Sequence, residues 1–196
     1  MAEVALSSIF ATIKAAYNSH MDWKFFLLEE KARQHDLTVQ ELVNSDSKCA
    51  LFMRLGRAFE LCSQRDVIDY LADAMVGMVK LGAAENKPDF AQICLSSLSG
   101  VTKLELDIIL LMRRHSVYLD VPELANANRS EMLVEASSAL GLEPIMLAAL
   151  CNGLARTGLV CIEEAGIGGS SPNTNKLTPL ARELFQYVDY AKNLSG

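Results

Sequence analysis

The chain has 196 residues, about half of them hydrophobic, and carries 24 acidic against 18 basic side chains for a net charge of −6. That length and apolar content fit one compact domain, or a helical domain with a small appended module. The acidic balance disfavours non-specific attraction to nucleic acid or anionic lipid. No apolar run approaches the roughly 20 residues of a spanning helix. The opening Met1-Ala2-Glu3-Val4 lacks the basic region of a signal peptide, so a cytoplasmic protein is expected.

The punctuation is helical nearly throughout. Leu6, Ile9, Phe10, Ile13 and Tyr17 recur at three- and four-residue steps and predict one amphipathic helix. A second covers 22–34, led by Trp23, Phe25 and Phe26. Thr38 with Glu41 reads as a capping box opening a short helix through Val43. Residues 44–62 carry no assigned element. Ser63 with Asp66 repeats the capping signal before the stripe Val67, Leu71, Met75, Met78 and Val79, and Gly82 is a stop. Pro88 suits the first turn of the next helix, to about Leu98.

Thr102 with Glu105 marks a helix to Met112, and Asn128 with Glu131 marks another from Met132 to Leu140, ended by Gly141. Glu143-Pro144 begins a helix to about Thr157. It is apolar nearly all round, which predicts that it is largely buried. Leu159 to Ile162 predicts a short strand, Gly166 to Asn175 an exposed loop, and Lys176 to Thr178 a return strand. Thr178 then caps a final helix with Pro179 at its first position and Leu180, Leu184, Val188 and Ala191 inward.

No catalytic, cofactor-binding or metal-binding motif is present. The five cysteines include no C-x-x-C pair and sit among apolar neighbours, as small buried hydrophobes do. Asp66, Asp69 and Asp73 share a helical face, where an acidic first turn followed by a solvated face is the simpler reading than a metal site. His20, His35 and His115 are far apart. Gly166-Ile167-Gly168-Gly169 fails both phosphate-loop templates. Arg113 and Arg114 suit the C-terminal end of their helix, and Met75, Met78, Met112, Met132 and Met146 occupy core-type positions.

From Thr102 the order is helix, helix, helix, strand, glycine-rich loop, strand, helix. Leu154-Ala155-Arg156-Thr157-Gly158-Leu159-Val160 followed by Leu177-Thr178-Pro179-Leu180-Ala181-Arg182 resembles the closing pattern of MarR-class regulators. It is more similar still to that of the bacterial Abi-alpha (abortive infection alpha) family. The resemblance runs over about residues 64–190, with its specific part in those two segments, and Ala181 stands where the family has glycine. It implies a phage-defence or related bacterial protein, with no chemistry to carry over.

The expected fold is therefore all-α: a helical region over 1–100 and a winged-helix-like module over 101–196 with a short two-stranded wing. The expected function is non-enzymatic protein interaction, with a protein partner or a second copy, in phage–host defence or counter-defence. No cofactor or metal is implied. The alternative is a winged-helix DNA-binding regulator, with contacts from Asn152, Arg156 and Lys176. From Ser116 onward, however, five basic residues face nine acidic ones, a poor charge balance for holding phosphates.

Overall fold

A computed structural model describes residues 2–120, 122–163 and 174–193, with the side chains of 14, 15, 17–120, 128–162 and 175–193. The expected loop from Gly166 lies mostly outside the described residues, and so does the stripe from Leu6 to Ile13 as regards side chains. The described chain is mostly helical, with one small antiparallel sheet.

Helix α1 runs Ala2–Gln34 as a single element. The two helices expected there are one because residues 17–22 contain neither glycine nor proline, and nothing stops propagation. Thr38 and Glu41 do form their reciprocal pair: the Thr38 N–H donates to Glu41 Oε2 at 2.7 Å and the Glu41 N–H to Thr38 Oγ1 at 3.3 Å. The box opens only a 3₁₀ turn, Gln40–Leu42.

Helix α2, Asp46–Leu61, fills the segment left unassigned. Its signals were present. Ser45 Oγ accepts from the Lys48 N–H, and Leu51, Leu55, Ala58 and Phe59 fall on one buried face. Its far end is capped from outside. Lys24 of α1 is fully buried, and its ammonium donates to the carbonyls of Phe59 and Cys62, the latter at 2.7 Å. The carbonyls at a helix end lack full intrahelical partners, and that of Phe59 otherwise has only the Cys62 N–H at 3.3 Å.

Helix α3, Arg65–Lys80, starts from Gln64, and the capping box expected at Ser63 is not made. Asp66 turns outward instead and meets Lys103 at 2.7 Å. The helix is buried from Val67 to Val79 except at Asp69, and it stops at Gly82, whose φ of 71° suits glycine. A short α4, Ala83–Asn86, and then α5, Pro88–Leu98, follow. Thr102 and Glu105 make the full capping box of α6, Lys103–Arg114.

Helix α7 is longer than expected, Pro122–Leu140. Asn128 is interior because the helix starts at Pro122, the position proline favours. Gly141, at φ 63°, ends it. Helix α8, Pro144–Leu154, is followed by a 3₁₀ turn over Ala155–Thr157 and by Gly158 at φ 73°. Strands β1, Val160–Glu163, and β2, Thr174–Leu177, pair antiparallel in the register Val160↔Leu177 and Ile162↔Asn175. The segment after α6 joins this sheet unforeseen: the Leu119 N–H donates to the Leu177 carbonyl at 3.0 Å and the Leu177 N–H to that of Val117 at 2.8 Å.

Helix α9, Pro179–Asn193, returns to lie along α3. The two approach so closely that a Cβ on Gly77 would sit 2.0 Å from the Tyr187 carbonyl oxygen. One hydrophobic core therefore includes residues from α1 through α9. Among the described residues no single helix is long and apolar enough to cross a membrane. The stretches 128–140 and 144–157 reach that composition only jointly, across a bend of 107°.

Candidate interaction surface

Helix α8 is amphipathic in packing although not in composition. Leu147, Cys151 and Leu154, spaced by four and three, are buried against the body, with Leu150 half-buried beside them. The other side is open. Ile145 is 80% exposed and Met146 54%, so Met146 is not a core residue as Met75, Met78, Met112 and Met132 are, and Ala148, Ala149 and Asn152 are also exposed. The expectation of a largely buried helix thus holds for one face only. Ala148 and Ala149 bring little apolar area, so the all-round apolar pattern overstated the drive to bury them. Helix α7 adds Val134, 72% exposed, on a hollow of about 570 Å³ lined with Glu131, Ser138 and Ala139.

The three residues singled out for duplex contact are separated in their roles. Asn152 is exposed on the outer side of α8. Arg156 is engaged with Glu105, its two terminal nitrogens donating to the carboxylate at 2.7 and 3.0 Å, and it also donates to the Gly153 carbonyl at 2.8 Å. A two-point grip on a buried carboxylate is the strong form of this ion pair. Burial pushes the Glu105 carboxyl up, but Arg156 and the Thr102 N–H and hydroxyl outweigh it and hold it below the usual glutamate range. Lys176 is 2% exposed, opposite Cys161 in the sheet. It also has contacts within the chain.

The other cations of this half are also occupied. Arg113 pairs with Asp189 and lies over the Phe185 ring at 4.6 Å. Arg114 and His115 both hold Glu135. Arg182 grips Asp120 and covers the Tyr118 ring at 4.6 Å. Lys103 bridges Asp66 and Asp107, and Lys192 stands over the Tyr70 ring near Asp73. Arg129 is engaged as well. Every described lysine and arginine from Lys103 onward thus has work within the chain.

The remaining chemistry-bearing groups resolve the same way. Asp69 and Asp73 share Lys31 at 2.9 and 2.6 Å, so the aspartate row of α3 is tied to α1 and α6 by lysines, and the solvated face expected there ends at Asp73, which the packing of α1 and α9 on α3 buries. Burial pushes the Cys94 thiol up to about 12 and that of Cys151 to about 11, which keeps both protonated and poor as nucleophiles. Among the described residues no three His, Cys, Asp or Glu side chains gather as metal ligands.

The exposed face of α8 could have been found in the sequence. Once Leu147, Cys151 and Leu154 are taken as the inward set, helical spacing turns Ile145 and Asn152 outward. The segment at Val117 gave no such sign, being too short for a period. No family model matches the chain, and no curated protein or solved structure does.

Proposed function

We propose that the protein works by protein–protein contact, with the outer face of α8 as a principal contact surface. The supporting observation is a pairing of opposites: an exposed apolar helix face at Ile145 and Met146, in a half of the chain whose described cations are all engaged internally. Covering either side chain in an interface contributes on the order of 2 kcal/mol. Binding a duplex instead asks for a net basic surface, and from Ser116 onward acidic residues outnumber basic ones.

The order α6, sheet segment, α7, α8, β1, β2 supports a winged-helix-like reading of the second half. In that reading α8 occupies the recognition position and uses it for a protein. The resemblance to the Abi-alpha family supports a setting in phage–host defence or counter-defence, which is an associational argument. The chemistry of the described side chains supports a non-enzymatic role.

The test is affinity capture from host cells with the wild type and with Ile145→Lys, read for both protein and nucleic acid. A protein captured by the wild type and lost at least tenfold in the variant, whose thermal unfolding is unchanged, supports the reading. Titration against genomic duplex fragments at about 150 mM salt provides the opposing arm. Sub-micromolar binding lost in Asn152→Ala would replace this proposal by the DNA-binding regulator. Asn152 is the cleaner probe, since Arg156→Ala also breaks the pair with Glu105.

A further inference from the structure

The first half of the chain carries a second apolar surface, remote in sequence from α8. Helices α1 and α2 lie side by side with the Phe25 and Phe52 rings stacked, centroids 5.5 Å apart. The surface opens on either side of this pair, into a hollow of about 290 Å³ toward Val39 and Leu42 and another of about 310 Å³ toward Met53 and Gly56. Phe25 and Phe52 line both hollows, so the two form one groove. Phe26 is 61% exposed and Met53 60% at its edges. Aromatic and methionine side chains of this kind are what the cores of protein interfaces favour.

Two further observations say what the groove receives. The first is Gly56, in the middle of α2. A Cβ there would meet Phe25 Cζ at 3.8 Å, an ordinary contact, and the residue has no left-handed φ. Neither packing nor backbone within this chain asks for glycine, and alanine would favour the helix more. What glycine does is keep the groove floor open to close approach. The second is charge. Asp22, Glu29 and Glu60 stand among the lining residues, against Arg57 as the one base there; Glu29 also meets Arg33 at 3.1 Å and Glu60 accepts from the Tyr17 hydroxyl at 2.7 Å, exposed contacts of the kind a partner's cation can share or replace. An acidic rim on a chain of net charge −6 disfavours a second copy and favours a basic occupant.

We infer that this groove binds an amphipathic helix of a partner protein. Its bulky apolar side chains, spaced at i, i+3 or i+4, and i+7, seat in the two hollows, and its flanking lysines or arginines face Asp22, Glu29 and Glu60. The inference goes beyond the α8 surface and stands without it.

The experiment uses a labelled amphipathic helical peptide with leucine and phenylalanine anchors flanked by lysines, and a twin with glutamates replacing the lysines. Fluorescence anisotropy against the full chain should show the lysine peptide binding at least about tenfold more tightly, with the gap closing as salt is raised. Phe26→Ser and Met53→Ser should each weaken it about tenfold, and Gly56→Leu should do so by filling the floor. Ile145→Lys, on the other surface, should leave it unchanged. Because Phe26 and Met53 are exposed, urea unfolding of the two serine variants should match the wild type. Equal binding of the twins, no binding of the lysine peptide, or binding indifferent to all three groove variants would overturn the inference. Self-association in sedimentation equilibrium that disappears in Phe26→Ser would also overturn it, giving the groove to a second copy.

Discussion

Helices α3 and α8 are both rich in apolar residues, yet α3 is enclosed on nearly every side and α8 on one. The neighbours make the difference. α3 packs against α1, α2, α5 and α9, so that even Asp73 is 2% exposed on it. α8 rests on α6, α7 and the β1 side, and its outer residues Ile145, Met146, Ala148, Ala149 and Asn152 are exposed. Apolar content therefore measures how much surface would gain by being covered. Which surface is covered depends on where the rest of the chain passes.

That comparison can be pressed hardest at the α3–α9 contact. Gly77→Ala places a Cβ 2.0 Å from the Tyr187 carbonyl oxygen, a backbone atom that cannot swing aside. The two helices must separate, and the loss should reach about 3 kcal/mol in urea unfolding. An alanine tolerated without loss would mean that the close α3–α9 approach is wrong.

The next largest effect belongs to the join between α6 and the turn after α8. Arg156→Ala leaves the buried Glu105 carboxylate with Thr102 alone, for a loss of about 2 kcal/mol. The sign with pH follows from the lowered carboxyl. A carboxyl lowered on folding contributes stability above its unfolded pKa of about 4.3, and that stability is lost as pH falls through the folded value. Unfolding measured from neutral to acid pH should show this loss in the wild type. Glu105→Gln should lack this part of the slope; an identical slope would remove Glu105 from the account.

Two smaller effects separate the surfaces proposed for partners from surfaces the fold needs. Gly56→Ala should raise stability by somewhat under about 1 kcal/mol, because the site has room for the methyl group and alanine favours the helix. A loss there would show that the fold itself requires the glycine. Ile145→Lys should change stability by less than about 0.5 kcal/mol while removing partner capture, since the side chain is 80% exposed. A drop of several times that size would mean Ile145 is held by the fold.

Much of the helical order was legible because it depends on short-range rules. Thr102 with Glu105, Gly82, Gly141, Pro88, Pro144 and Pro179 act within one turn of themselves, and each marks an end where the structure has one. Misreadings arose where the same signals met stronger neighbours. Ser63 and Asp66 have capping chemistry, but the connection from α2 sets the start of α3 at Arg65, and Lys103 takes Asp66. Asn128 is a good cap residue six positions inside a helix already begun at Pro122. As for the candidate site, the apolar character of α8 was plain in the sequence, and its spacing turns Ile145 outward once Leu147, Cys151 and Leu154 are the inward set, but only the packing of α6, α7 and β1 selects that set.

The sequence by itself determined an acidic, mostly helical protein with a short hairpin before its last helix, because caps, breakers and hydrophobic spacing act locally. Tertiary structure alone decided the fate of the charges. Arg156 and Glu105 are 51 residues apart, and Lys24 caps a helix 35 residues ahead of it. Lys176 reads as a surface base and is buried in a sheet. Whether a cation is open to a phosphate or already spent on a carboxylate depends on distances through space, which a pattern read along the chain does not contain.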